Sequence, residues 1–228
     1  MLCFEATNVA KAHGQMTSTA SIDGVRAGRR VRADGERSRR AILEAATQLA
    51  TLEGLDRLSI GDLAAHIGMS KSGLYAHFRS KEELQLATIG AAEVLFDEVV
   101  VDPVHGAEPG IPSVIALADS FLDHLGARIF LGGCFFACAS AEFQSKDGPV
   151  KERIATFDRR WRARFDEHLE IAKAAGDLPT DEDIDQLFFE LDAYLLYAHA
   201  AFAFRGDPNV LERAADAVRH RVGVKGKV

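Results

Sequence analysis

The sequence predicts an all-α protein of about nine helices, a small N-terminal helix-turn-helix domain followed by a larger helical body. Three observations carry that expectation. Apolar residues recur at spacings of three and four through every long segment. No segment alternates apolar and polar residues at the period of a strand. Clusters of Gly, Pro and Ser cut the chain into pieces of helical length. A chain of 228 residues buries about 70% of its unfolded surface without a metal or disulfide staple. Its three cysteines, an odd number, argue against a secreted disulfide framework. No basic segment followed by an apolar one marks a leader, and no apolar run approaches the roughly 20 residues of a membrane span. The expectation is a cytoplasmic protein with no membrane partner.

Residues 1–34 lack sustained periodicity and read as a disordered basic arm. The first helix is expected over Arg37–Glu53, where Ile42, Ala45, Ala46, Leu49 and Leu52 share a face and Gly54 supplies the stop. A short second helix runs from Ser59 to about Ile67, with Ser59 and Asp62 resembling a capping box. Gly68-Met69-Ser70 breaks it, and a third helix spans Lys71–Phe78. Ser80-Lys81-Glu82-Glu83 is a capping box opening a fourth helix to about Val101, stopped by Asp102-Pro103. In the body, helices are expected over Ser113–Ala127, Gly133–Phe143, Pro149 to Gly176, Asp181–Phe204 and Asn209–Val222. This places the helix-turn-helix domain at 35–82 and the body at 83–228.

Charge is divided unevenly. Between Arg26 and Lys81 stand eleven Lys and Arg against six acids, net +5, which leaves −12 on the rest of a chain whose total is −7. A basic block on an acidic body suits a polyanion-binding segment attached to a body with another task. Chance clustering of surface arginines would look the same.

Two short helices joined by a turn at Gly68 have the spacing of a helix-turn-helix, whose second helix enters the major groove by its N-terminus. The third helix opens on Ser70-Lys71-Ser72-Gly73. Its unpaired N–H groups and positive dipole end attract phosphate. Lys71 and Ser72 are donors able to reach base edges or backbone, and Gly73 offers no side chain to hold DNA away. Tyr75 and His77 follow one turn on as phosphate donors.

The run Leu63-Ala64-Ala65-His66-Ile67-Gly68-Met69-Ser70-Lys71-Ser72-Gly73-Leu74-Tyr75-Ala76-His77-Phe78-Arg79-Ser80-Lys81-Glu82-Glu83-Leu84 resembles the DNA-binding signature of TetR-family transcriptional regulators. The strong resemblance covers about residues 37–84. Gly133-Cys134-Phe135-Phe136 followed by Glu142 is similar, more weakly, to a segment of one branch of that family. The resemblance implies that Lys71, Ser72 and Gly73 face bases, and that Tyr75, His77 and Lys81 hold phosphates. It adds Ser59 from the second helix and Arg37 or Arg40 from the first. Phosphate contacts set register and dominate affinity, while base contacts set sequence choice. Ser59 and Ser80 are helix caps as well, and Leu63, Leu74 and Phe78 are core. Arg26, Arg29, Arg30 and Arg32 read either as a solvated tail, the favoured reading, or as an arm tracking an adjacent minor groove.

The resemblance further implies a homodimer, joined through the last two helices and bound to double-stranded DNA at a palindromic operator. The candidate interface is Phe188, Leu191, Leu195, Phe202, Leu211, Ala215 and Val218, an apolar face wider than one internal contact needs. A pocket for a small apolar or aromatic effector is expected among the middle helices. Its candidate lining is Phe96, Phe121, Leu125, Phe135, Phe136, Phe143, Phe157, Trp161 and Tyr194, although an aromatic stripe at helical spacing is also plain core. The expected function is a ligand-released repressor with no cofactor, no metal and no catalytic residues. Cys134 and Cys138, at i and i+4, read as small core hydrophobes before they read as a redox or metal pair. The rival reading is a helical enzyme or small-molecule carrier with an incidental helix-turn-helix. No Gly-x-Ser-x-Gly elbow, phosphate-binding glycine loop or His-Glu-x-x-His motif supports it.

Overall fold

The computed structural model describes the backbone of residues 20–224 and the side chains of residues 35–224. Among the described residues it holds nine α-helices and no strand. They are α1 (Ala20–Glu53), α2 (Ile60–His66), α3 (Lys71–Tyr75), α4 (Lys81–Phe96), α5 (Ile111–Gly126), α6 (Phe135–Glu142), α7 (Pro149–Ala175), α8 (Ile184–Arg205) and α9 (Asn209–Arg221). Among the described residues, those from Arg40 onward form one compact unit and those up to Arg39 another.

The first unit departs from the sequence expectation. The sequence predicts helix only from Arg37, yet α1 begins at Ala20. The added segment is rich in Arg and Ala, good helix formers, and poor in apolar residues, so apolar periodicity cannot register it. The part of the expected arm at residues 1–19 lies outside the described residues, as do the side chains of Arg26, Arg29, Arg30 and Arg32.

In the second unit the caps set the helix boundaries. Ser59, Ser70 and Ser80 accept from the N–H groups of Asp62, Gly73 and Glu83, and so satisfy donors that the first turns of α2, α3 and α4 leave unpaired. Both expected capping boxes close differently from the ideal. The Asp62 carboxylate accepts from the Ser59 hydroxyl at 2.6 Å, and Glu83 reaches past the cap to the Arg79 N–H at 2.9 Å. α3 ends at Tyr75, three residues short of expectation. α4 gives way after Phe96 to a π-helical turn over Asp97–Val101, then to a 3-10 turn over Asp102–Val104 where Pro103 cannot donate.

The head core is Ile42, Ala46 and Leu49 of α1, Leu63 and Ala64 of α2, Leu74 of α3, then Phe78 and Leu84, all buried. In the body, α7 packs on α4, α5, α6 and α8, and α9 packs on α8 and α5. Phe96 sits in the centre, with the rings of Phe121, His124, Phe136, Phe157 and Trp161 at centroid distances of 5.0 to 6.5 Å. With 22 residues, α8 is long and apolar enough to cross a membrane, against the sequence expectation of no such run. It is nevertheless packed against α5, α7 and α9, and it carries Asp185, Glu190, Asp192 and His199.

Candidate functional site

Two sites are built from the second unit, an outward face on the head and a cavity in the body. On the head, α3 follows α2 through the turn at Gly68, whose φ of +69° suits glycine. Leu74 turns inward and leaves Lys71, Ser72 and Tyr75 exposed, Tyr75 at 54%. The Lys71 stem lies along α2, where a Cβ on Gly61 would meet its Cε at 3.3 Å. Gly73 has an internal reason to lack a side chain. Its N–H donates to Ser70 Oγ at 3.1 Å, and a Cβ there would stand 3.1 Å from the same oxygen.

Other predicted residues are placed less uniformly. Lys81 is exposed at the first position of α4, and His77 is half-buried with its ring beside Phe78. Ser59 is half-buried and occupied as a cap. Arg40 is exposed and pairs with Glu44 at 3.1 Å within α1. Arg37 is exposed on α1 in the first unit.

The cavity measures about 590 Å³, within the range of small-ligand sites. Five predicted aromatics line it, namely Phe96, Phe121, Phe136, Phe157 and Trp161. Phe136 and Phe157 stack at 3.3 Å with a 6° interplanar angle. The other four predicted residues do not line it. Phe135, Phe143 and Leu125 are buried elsewhere in the core, and Tyr194 lies along a groove between α8 and α9. Apolar periodicity cannot separate Phe135 from its neighbour Phe136, because a helix turns them by about 100° and only packing decides which meets the void.

The polar part of the wall is not foreseen from the sequence. Asp158 of α7 and Asp192 and His199 of α8 line the cavity with Cys138, Ser140 and Gln144. Asp192 and His199 interrupt the apolar run of α8, which is the available signal. Burial pushes the Asp192 carboxyl up; the Trp161 indole N–H, donating to it, pulls the other way, and the Asp158 charge adds a further push upward. Burial holds His199 low, and therefore neutral near pH 7. Burial also pushes the Cys134 thiol up to about 12 and raises Cys138. Cys138 Sγ lies 3.8 Å from His199 Nε2.

The cavity wall reaches the head. Most of the lining of one side belongs to α6, whose last residue, Glu142, accepts at Oε1 from the Asp56 N–H at 3.1 Å. Lys146 pairs with the Asp56 carboxylate at 2.5 Å, which holds that carboxyl below its usual range. In the loop before α6, the Leu131 N–H donates to Gln48 Oε1 and the Gly132 N–H to Thr51 Oγ1, at 2.9 and 3.1 Å, while Gln48 Nε2 donates to the Ile129 carbonyl at 3.0 Å.

The predicted dimer face needs correction at four of its seven positions. Leu191, Leu195, Phe202 and Val218 are buried within the chain, and Phe188, Leu211 and Ala215 are half-buried. The broad apolar surface of α8 divides in two, and the inward half fills the core against α5, α7 and α9. The outward half is Phe189 at 66%, Tyr197 at 62% and Phe204 at 90% exposed, while the exposed Leu196 beside them lines the cavity.

The family model "Bacterial regulatory proteins, tetR family" matches residues 42–88, and "Tetracyclin repressor-like, C-terminal domain" matches residues 110–218. The HTH-type transcriptional repressor BepR of Brucella suis biovar 1 (strain 1330) is 24% identical over 161 residues, 67% of this chain and 74% of that protein. A TetR transcriptional regulator from Chloroflexus aurantiacus J-10-FL has a similar fold, with a TM-score of 0.78, 23% identity and coverage of 85% of this chain and 98% of the other. AibR, solved in complex with isovaleryl coenzyme A and operator DNA, gives a TM-score of 0.63 at 22% identity over 81% of this chain and 96% of the other. The rival reading of a helical enzyme falls with these matches. With one family model on the head and another on the body, this chain belongs to the TetR family of bacterial transcriptional regulators, DNA-binding proteins that are not enzymes.

Proposed function

We propose that the protein is a cytoplasmic repressor that binds a palindromic operator as a homodimer and releases it when a small molecule fills the body cavity. The observation that carries this is the joining of the two sites. α6 walls the cavity, and its terminal Glu142 holds the turn that leads into α2 and the reading helix. Lys71, Ser72 and Gly73 open α3 toward base edges, and Tyr75, His77 and Lys81 serve phosphates. Ser59 and Arg37 or Arg40 add contacts from the flanking helices. Two such heads match a palindrome only when their recognition helices stand about 34–36 Å apart or a multiple of it. A ligand that favours another spacing therefore releases DNA by shifting the population of dimers. BepR, a repressor, supports the sense of regulation.

For dimerisation we assign the exposed face of α8, Phe189, Tyr197 and Phe204, together with the half-buried Phe188, Leu211 and Ala215, in place of the buried Leu191, Leu195, Phe202 and Val218. An exposed apolar patch of large side chains on a long helix is an association surface.

The test is a gel-shift with DNA from upstream of the gene at two salt concentrations. Sequence-specific binding that resists competitor DNA and weakens steeply with salt is expected. Tyr75→Phe combined with Lys81→Ala leaves the fold intact by circular dichroism. It lowers operator affinity and reduces the salt slope by about 0.9 for each phosphate that is no longer neutralised. Unchanged affinity in the double variant refutes the assigned phosphate contacts.

A further inference from the structure

The body cavity has a marked chemical bias. Its apolar part is a box of rings lined by Phe96, Phe136, Phe157 and Trp161, with Phe157 and Trp161 edge-on to Phe96 and Phe136 stacked on Phe157. Two carboxylates line it, Asp192 from α8 and Asp158 from α7, the latter exposed at the rim. No Lys or Arg is among the lining residues, and His199 is held neutral. Three arginines of the same helix α7 are already engaged, since Arg153, Arg160 and Arg164 pair with Glu93 and Asp97. An anionic ligand would meet two carboxylates and no counter-charge. A neutral ligand would leave the half-buried Asp192 with the Trp161 N–H but no counter-charge.

We infer that the effector is a lipophilic organic cation, its positive centre held by Asp192 and Asp158 and its hydrocarbon lying against the aromatic box. This rests on the reading of the cavity as the effector site and narrows the expected apolar or aromatic effector by charge. Aromatic faces attract cations through the ring quadrupole, and a cation close to Asp192 relieves both its burial without a counter-charge and its repulsion by Asp158. The cavity volume of about 590 Å³ admits a molecule larger than a simple quaternary ammonium ion, which makes the rings as necessary as the acids.

Trp161 is the chain's one tryptophan and lines the cavity, so its fluorescence reports binding directly. The probes are phenylhexyltrimethylammonium, phenylhexanol and phenylheptanoate, which share a hydrocarbon and differ in charge. Saturable quenching by the ammonium compound, about tenfold tighter or more than by the other two, is expected. Asp192→Asn keeps an acceptor for the Trp161 N–H and weakens the ammonium compound about tenfold while leaving the alcohol unchanged; Asp158→Asn, at the rim, does the same to a smaller extent. The inference is overturned if the carboxylate or the alcohol binds as tightly as the cation, if both Asn variants bind the cation like the parent chain, or if none of the three quenches. Parallel gel-shifts separate this from the wider reading. DNA released by the carboxylate sinks the cation inference and leaves the regulator standing, whereas tight cation binding in a protein that grips no operator does the reverse.

Discussion

Glu142 offers a way to cut the two sites apart without unfolding either. It is the last residue of α6, where a carboxylate opposes the helix dipole and costs about 0.3–1 kcal/mol. Against this stands one hydrogen bond to the half-buried Asp56 N–H at 3.1 Å, and orphaning such a group costs about 1 kcal/mol, the low end of the range because water reaches it. Glu142→Ala removes both terms, so stability in urea is expected to change by less than about 1 kcal/mol. Coupling behaves differently, because allosteric coupling of about 1–3 kcal/mol is of the same size as the tie itself. Operator affinity measured with and without phenylhexyltrimethylammonium, or whichever of its two counterparts quenches Trp161, gives the coupling ratio. That ratio should fall about fivefold or more in Glu142→Ala, with the ligand affinity read from Trp161 unchanged. Glu142→Gln keeps an oxygen acceptor and loses the charge that opposes the dipole, so it should couple like the parent chain. A Glu142→Ala protein with the parent's coupling ratio, or a Gln variant that uncouples as fully as Ala, refutes the reasoning.

Three further perturbations have definite outcomes. A Cβ on Gly132 would lie 1.9 Å from the Thr51 carbonyl oxygen and 2.4 Å from its carbon, so Gly132→Ala should force the loop off α1 and cost about 1–3 kcal/mol; an unchanged Tm refutes the contact. His124 is buried and neutral, with burial lowering its pKa from 6.5 to about 4. The unfolded chain therefore takes up the proton first as pH falls. Its stability is full above pH 6.5 and is lost from there down to about 4, by about 3 kcal/mol at most. His124→Phe should flatten that part of a plot of Tm against pH, and an equally steep plot counts against the assignment. Phe189→Asp with Tyr197→Asp should move the protein to a monomer in sedimentation, and a dimer that persists removes α8's outward face as the interface.

What can be read from the sequence is local. Caps, breakers and the short-range register of α2, α3 and α4 depend on residues within four or five positions of each other, and Ser59, Ser70 and Ser80 stand where those helices begin. The cavity depends on contacts between α4, α5, α6, α7 and α8, and apolar periodicity says only that a residue points away from water. Phe121, Phe136 and Trp161 reach the void while Phe143 and Leu125 pack away from it, although all five look alike in the pattern. α8 shows the same ambiguity at larger scale. Its apolar width is visible, but Leu191 and Leu195 serve the fold and Phe189 and Tyr197 face outward. Asp192 is legible only as an oddity, a carboxylate inside an apolar helix.

Besides the bonds from the loop before α6 to Gln48 and Thr51 of α1, the head and the cavity meet at the turn around Asp56, and this constrains how release can work. Gln85 of α4 donates to the Leu55 carbonyl at 2.8 Å, Glu142 of α6 accepts from the next residue's N–H, and Lys146 holds that residue's carboxylate. Both α4 and α6 also wall the cavity, α4 through Phe96 at its last position. From Lys81 to Phe96, α4 is a continuous helix of about 24 Å at 1.5 Å per residue, so pressure on Phe96 tilts a rod whose far end carries a proposed phosphate contact. Beyond Phe96 the rod changes to a π-helical turn, where its regular α-helical bonding ends. A ligand that pushes Phe96 would thus pivot α4 about its tie to Leu55, and one that pushes Phe136 would pull on Asp56 through α6. The two routes diverge in Glu142→Ala, which severs the second and spares the first. Any coupling that survives in that variant therefore measures what α4 carries together with the loop before α6 that binds Gln48 and Thr51.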